Sequence, residues 1–435
     1  MTQVLIVGAG PTGLLLAIEL RRRGQEVRLI DAASAPFIGS RGKGVQPRTL
    51  EIFDLLGLAE KAAEVSSLYP FLKVHLGPMS FKVGSLGTHH LPSEGRPHPN
   101  LRMISQRQTE EVLRTHLESL MGKVEYGVGL ATFEQTASSV RASLTNGEVV
   151  HALYLVGCDG GRSTTRKVAG LELSGETLDR KTMIVADLEV EGLDREFWHV
   201  WPINSGGPLT LCPLPGSSLF QLQAPERIAQ GNLEHNIARV TGKRVTRLVW
   251  QSQFHHQIRM VDRYRVGRVF LAGDAAHIHP PSGGQGLNTG IQDAWNLGWK
   301  LAWALRTGED QHLDSYEQER LPTAAAMLDM TKTLHVKVSR QRGDLTNQLS
   351  LNYPDSPLSL GAPVGSVAPG DRVPDRRLAD GSRLYDHLRH VGATQLSRRD
   401  GQRLLVRPDS YVASIGTEMV KTYAGEPVRA LEIEW

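Results

Sequence analysis

The feature that most limits what this chain can become is the glycine run Gly8-Ala9-Gly10-Pro11-Thr12-Gly13. It sits between two patterns of different period. The short, wholly apolar run Val4–Val7 before it reads as a buried strand. After it, residues 14–23 present an apolar helical face, Gly24 stops that helix, and residues 26–30 return to a strand pattern. A G-x-G-x-x-G run at a strand-to-helix junction is what a bound pyrophosphate demands. Gly8 permits the tight turn, Gly10 lets the backbone approach phosphate oxygens, and Gly13 lets the helix pack closely on the strand. Pro11 and Thr12 open the helix, whose free N–H groups and positive end meet the anion. Asp31 closes the second strand, where a carboxylate can accept ribose hydroxyls. The unit implies an α/β, Rossmann-like start and a dinucleotide, without saying which one.

Two later segments narrow the choice. Leu155-Val156-Gly157-Cys158-Asp159-Gly160-Gly161-Arg162-Ser163 reads as a strand, a tight Asp-Gly turn and a helix start near Thr164. Arg268-Val269-Phe270-Leu271-Ala272-Gly273-Asp274 is a second buried strand that delivers a carboxylate at its end. A loop rich in Pro and Gly follows, from Pro280 to Gly286, and then Leu287-Asn288 opens a long amphipathic helix over 287–305. Gly283, Gly284 and Gly286 expose backbone donors at that helix start. A reduced isoalloxazine ring carries negative charge on its N1–C2=O edge, for which a helix N-terminus is the natural partner. Gly286-Leu287-Asn288 therefore reads as a flavin-ring site and Asp274 as a ribitol contact.

In this order and at these separations, the three segments resemble the class A flavoprotein monooxygenases of the para-hydroxybenzoate hydroxylase type. The similarity is closest to the three-domain branch that hydroxylates phenols, hydroxyphenylpropionates and polyketides, and it covers roughly residues 1–340. The block from Gly273-Asp274-Ala275-Ala276-His277 through Gly290-Ile291-Gln292-Asp293-Ala294 is similar to the family's flavin-proximal block. Gly44-Val45-Gln46-Pro47-Arg48-Thr49-Leu50-Glu51 is similar to its first-domain helix start, and Ser105-Gln106-Arg107 to its glutamine-plus-basic position. The resemblance implies that Arg41 and Gln106 touch FAD. It also implies that Asp159-Gly160, with Arg162, serves both FAD and a transient NADH or NADPH. Asp31 stands where the family more often has glutamate. The implied chemistry is NAD(P)H- and O2-dependent hydroxylation of a phenolic or polyketide aromatic through a C4a-hydroperoxyflavin on tightly, non-covalently bound FAD. A flavin-dependent halogenase or reductase on the same fold is the alternative, and a non-catalytic FAD-binding protein the second.

The expected architecture is a Rossmann-like FAD-binding domain over 1–175 and 262–345, with an inserted antiparallel β-sheet substrate domain over 176–261. A short thioredoxin-like C-terminal region over 346–435 follows, from a resemblance that begins at about Gly361, has Gly370-Asp371-Arg372-Val373-Pro374-Asp375 at its start and is short for a whole such domain. Asn146-Gly147 between alternating runs predicts a hairpin turn, and helices are expected over 49–56 and 109–120. Lys and Arg exceed Asp and Glu by three, 49 against 46, so nothing argues for nucleic acid or an anionic membrane. The triplet Arg21-Arg22-Arg23 complements a helix end. The two cysteines, Cys158 and Cys212, belong to no C-x-x-C and suggest a reducing cytoplasm rather than a disulfide framework. The first apolar run is far short of the roughly 20 residues that span a bilayer. His89-His90, His255-His256 and His277-Ile278-His279 lack zinc-site spacing, so no metal is expected. Trp198 and Trp201 read as strand residues lining a substrate cavity. The expected partners are a small aromatic substrate and O2, and a homodimer is compatible with the reading. The residues single out no catalytic acid or base.

Overall fold

The computed structural model describes residues 2–85, 89–204, 207–280, 283–337, 344–397 and 401–432. Strand β1 (Thr2–Val7), helix α1 (Pro11–Arg21) and strand β2 (Val27–Asp31) form the first crossover. Helix α2 (Gln106–Ser119), strand β3 (Val149–Gly157), helix α3 (Thr164–Val168), strand β4 (Val269–Leu271) and helix α4 (Gly286–Thr307) follow. The parallel strands lie in the order β4-β3-β1-β2, with Val124–Tyr126 beyond β2. Val7 is level with both Ile30 and Gly157, and Gly157 is level with Leu271. The carboxyl ends of four strands therefore stop at one edge, where open α/β sheets hold their ligands.

Local chemistry explains the elements. Leu14, Leu15 and Leu16 in α1 are all fully buried, which requires cover on more than one face; the sheet and α4 supply it. Ser105 and Gln108 form a reciprocal capping box, so α2 begins at Gln106, ahead of the expected Thr109. The Asn146-Gly147 turn closes the antiparallel pair of Val140–Leu144 with β3, and the Gly147 N–H donates to the Leu144 carbonyl at 3.0 Å.

A second, eight-stranded sheet packs beside the first. From edge to edge it comprises His277–Ile278, Val245–Met260, Ser174–Val190, Phe220–Pro225, Leu209–Pro213, Phe197–Trp201, Phe71–Leu76 and Met79–Val83. It is wider than the 176–261 segment expected from sequence, because two strands from 71–83 and a short one at 277–278 extend its edges. One of its pairings, Phe197–Trp201 with Phe71–Leu76, is parallel, so the sheet is mixed rather than antiparallel throughout. Helix Leu233–Thr241 covers one face, over a core that includes Leu211, Leu222 and Ile237.

The C-terminal region folds as a four-stranded sheet in the order Val412–Gly416, Arg403–Val406, Thr394–Ser397, Arg429–Glu432. Residues 433–435 lie outside the described residues, as do residues 338–343 beside the expected boundary at 345. This sheet is locked to the nucleotide fold by buried charges. Arg407 donates to Glu319 at 2.7 and 3.0 Å and to Asp409 at 2.6 and 3.0 Å. Lys300 of α4 meets the same Glu319 at 2.7 Å, and Trp295 donates to the Asp409 carbonyl at 3.0 Å. At the far end of α1, Arg22 donates to the Arg389 carbonyl at 2.6 Å and Arg23 to that of Val391. Two of the basic triplet thus dock the C-terminal region, while Arg21 donates to the Leu120 carbonyl at the end of α2. Among the described residues, no helix is long and apolar enough to cross a membrane.

Candidate functional site

The glycine loop has the geometry its spacing demands. Gly8 takes φ 101°, and a methyl group there would collide with the Cys158 carbonyl; one at Gly13 would collide with the carbonyl of Gly8 itself. At Gly10, by contrast, a methyl group would meet nothing within 4 Å, so the loop presents an open cradle. Pro11 starts α1, and no side chain caps it. Thr12 is a joint, its side chain packed on the backbone of Gly273 and of Gly290. The Asp31 carboxylate accepts from the Ala9 N–H at 2.7 Å and the Ala33 N–H at 2.8 Å, fastening β2 to the loop. Each of its oxygens keeps further acceptor capacity for a hydroxyl.

Gln106 lies across from the segment that carries Arg41. Its backbone N–H donates to the Gly42 carbonyl at 2.9 Å, and its side-chain amide donates to Glu110 at 2.8 Å. Glu110 was not singled out from sequence. Its burial pushes the carboxyl up to about 7, against the pull of the Gln106 hydrogen bond and of Arg114 and Arg41, and with the push of Asp31. The i, i+4 pair with Gln106 was its one legible signal. Arg41 lies over the Phe37 ring at 5.6 Å and the Trp250 ring at 6.0 Å.

Asp159 and Asn288 differ from expectation. The Asp159 carboxylate is committed to the start of α3: it accepts from Thr164 N–H at 2.8 Å, Thr165 N–H at 3.0 Å, and the Ser163 and Thr165 hydroxyls. It shapes the Gly160 turn, one oxygen taking three donors and the other the Ser163 hydroxyl alone. Arg162 is exposed, while Arg166, missed from sequence, bridges the Gly161 carbonyl at 2.9 Å and the Ala275 carbonyl at 3.0 Å. The Asn288 side chain is fully buried and spent internally. Its oxygen accepts from Gln46 N–H at 2.8 Å, and its amide donates to Gly284 at 2.7 Å and Gly44 at 3.0 Å. Such an amide holds strand Gly44–Val45 and Gln46 against the helix start, leaving its backbone as the part that can face a ring.

Gly273 and Asp274 are set by a residue to which the sequence assigned no role. Asp293, fully buried on α4, accepts from the Gly273 N–H at 3.0 Å, from His277 Nε2 at 2.7 Å and from Arg320 Nε at 2.8 Å. Burial alone would raise its carboxyl, yet the His277 and Arg320 charges hold it below the usual range. Asp274 is an exposed residue with protein closely around its carboxyl, as in a cleft wall. Burial pushes its carboxyl up, while the charges of His277 and Arg41 pull it down. One Asp274 oxygen lies 3.8 Å from where a methyl group on Gly286 would sit. There α4 begins, with no capping side chain, so a positive helix end and a carboxylate share one cleft. A methyl group on Gly42 would sit 3.4 Å from Leu287, so the two residues face each other. Pro281 and Ser282 of the preceding loop lie outside the described residues. An open phosphate cradle, a ribose carboxylate and an uncapped helix start along one edge fit FAD.

The paired histidines do not gather into a site. His89, His90 and His255 are exposed, and His277 with His279 belongs to the Asp293 network, His279 Nε2 lying 3.2 Å from His277 Nδ1. Trp198 packs with Tyr69, Met103 and Cys212 on the face of the second sheet toward the nucleotide fold; Trp201 is buried in the opposite face.

Comparison with known proteins decides the family. The FAD binding domain family matches residues 1–331. The chain belongs to that family of flavin-dependent monooxygenases. A flavin-dependent monooxygenase of Mycobacteroides abscessus is 39% identical over 420 residues, covering 91% of this chain and 88% of its own. Pentachlorophenol 4-monooxygenase of Sphingobium chlorophenolicum is 30% identical over 436 residues, covering 90% and 79%. Among solved structures, the anhydrotetracycline hydroxylase of Streptomyces rimosus superposes with a TM-score of 0.76 at 30% identity, over 98% of this chain and 99% of that one. This chain is accordingly an FAD-dependent monooxygenase of the aromatic-hydroxylase class.

Proposed function

We propose that this monooxygenase hydroxylates a phenolic or polyketide aromatic, taking electrons from NADH or NADPH as a transient co-substrate. The observation that carries the reading is the segment 39–44, which runs between the uncapped start of α4 and the inner face of the second sheet. Gly42 faces Leu287, while the neighbouring Gly39 and Ser40 touch Trp250 and Gln221. A ring seated at the helix start is thereby apposed to that sheet. The relatives named for pentachlorophenol and anhydrotetracycline, a phenol and a polyketide aromatic, are in keeping with this reading.

The proposed division of labour follows the geometry. Gly8, Gly10, Pro11, Thr12 and Gly13 hold the pyrophosphate, Asp31 the ribose, and Gly273 and Asp274 the ribitol. Gly284, Gly286, Leu287 and Asn288 face the ring through their backbone, and Arg41 and Gln106 close it from the side. Asp159 and Gly160 shape the neighbouring turn. Bound FAD supplies the redox chemistry: it passes electrons from NAD(P)H to O2, one oxygen atom of which enters the substrate. The chain positions that group, keeps water from the reacting oxygen and offers a helix dipole to the charge that gathers on the reduced ring. The second sheet serves as the substrate domain, and the C-terminal sheet with helix Leu384–Leu388 as a reduced thioredoxin-like domain without cysteine. NAD(P)H consumption by holoenzyme, measured across a panel of phenols and polyketide aromatics, tests this. Stimulation by at least one member is expected; a rate indifferent to every aromatic overturns the substrate class.

A further inference from the structure

Four residues stand in a row across the inner face of the second sheet. Cys212 pairs with Gln221, Gln221 with Asp187, and Asp187 with Trp250 on adjacent strands. Opposite this row, Lys43 reaches in from the 39–44 segment. Its ammonium bonds the Gln221 carbonyl oxygen and lies 4.5 Å over the Trp198 ring. Gln221 is itself fixed: its amide donates to the Ser40 carbonyl, and Gln223 donates to its oxygen at 3.0 Å. Lys43 is 8% exposed and Asp187 1%.

Neither charge has an ion-pair partner among the described residues, and the Lys43 ammonium has only the Gln221 oxygen and the Trp198 ring. Asp187 is within electrostatic reach of Lys43, but among the described residues no carboxylate forms an ion pair with that ammonium. Ser40 approaches the Asp187 carboxylate, yet neither Asp187 oxygen makes a hydrogen bond of full geometry. Burial pushes the Asp187 carboxyl up to about 6 and the Lys43 ammonium down. The other titratable groups facing the pair are the Cys212 thiol, which burial pushes up to about 11, and Tyr69, whose hydroxyl donates to the Lys43 carbonyl at 3.0 Å. A buried ammonium and a buried carboxylate left short of partners cost several kcal/mol each, which a ligand bearing an ionisable oxygen would relieve.

We propose that Lys43, Gln221 and Asp187 form the subsite that takes the ionisable oxygen of the aromatic substrate and holds it as a phenolate. The inference rests on the aromatic-substrate reading above. The phenol O–H bond breaks, its proton passes to an Asp187 oxygen, and the phenolate oxygen is left against the Lys43 ammonium. The net charge of the pocket is unchanged, so ionisation adds no further cost of burying charge. A phenolate ring is also the more electron-rich partner for an electrophilic oxygen.

The test uses FAD-loaded protein and 4-nitrophenol, whose ionised form alone is yellow, read as a difference spectrum against probe-free holoenzyme. Bound to the native chain, the probe is expected to favour the phenolate at least tenfold more than it does free at the same pH. Lys43→Met should abolish the shift and Lys43→Arg should restore most of it, with flavin absorbance verifying that each variant is loaded. If the probe binds with the same ionisation in the native chain and in Lys43→Met, the subsite falls while the aromatic reading stands. If the probe binds in neither form, both fall.

Discussion

Asp293→Asn is the sharpest perturbation of the cofactor edge, because it changes one charge and almost no volume. The native carboxylate takes three donors: the Gly273 N–H, His277 and Arg320. An amide in its place offers one oxygen and one NH2, so some of those donors must face a donor. Arg320 keeps the Tyr353 hydroxyl at 3.0 Å and the Thr289 carbonyl at 3.2 Å, but it loses its counter-ion. Breaking a buried pair in this way costs about 3–5 kcal/mol in total. The share borne by the Gly273–Asp274 turn is one charge-assisted hydrogen bond, about 1.5–3 kcal/mol. If that turn holds ribitol, FAD binding should weaken about ten- to a hundredfold. Flavin fluorescence titration of apoprotein measures this directly. Combining Asp293→Asn with Asp274→Ala should cost less than the sum of the two, since Asp293 acts through the position of Asp274. FAD affinity within twofold of native in Asp293→Asn would refute the reasoning, as would strict additivity.

Three further predictions concern other links. Gly10→Val fills a space the protein leaves empty, so the chain should fold with near-native thermal stability yet purify colourless; near-stoichiometric FAD would remove the loop from the site. Glu110 has its carboxyl raised to about 7, so the protonated form is favoured in the folded chain. Its contribution to stability is full below the ordinary carboxylate range and is lost as pH rises through about 7. FAD affinity should then fall across the same window, because a new negative charge appears near Asp31, and Glu110→Gln should flatten the profile; an equally steep fall in the variant would exclude Glu110. Glu319 and Asp54 have carboxyls held low, the first by Arg407 and Lys300, the second by His98, Arg383 and Arg389. Their contributions are full above the ordinary carboxylate range and are lost as pH falls toward the folded values. Limited proteolysis should accordingly release the C-terminal region first in acid, and in Arg407→Ala already at neutral pH; simultaneous cleavage throughout the chain would contradict this docking.

What could be read from sequence was what local chemistry decides. The glycine loop, the Asn146-Gly147 hairpin and the helix that begins at Gly286 are each fixed by neighbours within a turn or two. The edge strands Phe71–Leu76 and Met79–Val83 were missed because they join a sheet whose other members begin only at Ser174. Asp293 stood in a family-like block with no role assigned, because its three donors, Gly273, His277 and Arg320, lie outside its own helix. Asn288 and Asp159 were read as ligand contacts from their positions, yet hydrogen bonds to Gln46 and Thr164 use their side chains to build the site. Lys43, one basic residue in a glycine-rich stretch, has no local signal for its burial against Gln221.

The central claim is that FAD on this chain transfers an oxygen atom from O2 to an aromatic substrate. Turnover of a substrate from the stimulating panel under 18O2, with mass analysis of the product, tests it most directly. The account predicts one heavy oxygen in the new hydroxyl group and none when the label is supplied as H2 18O. Product that carries no label from O2 would contradict it.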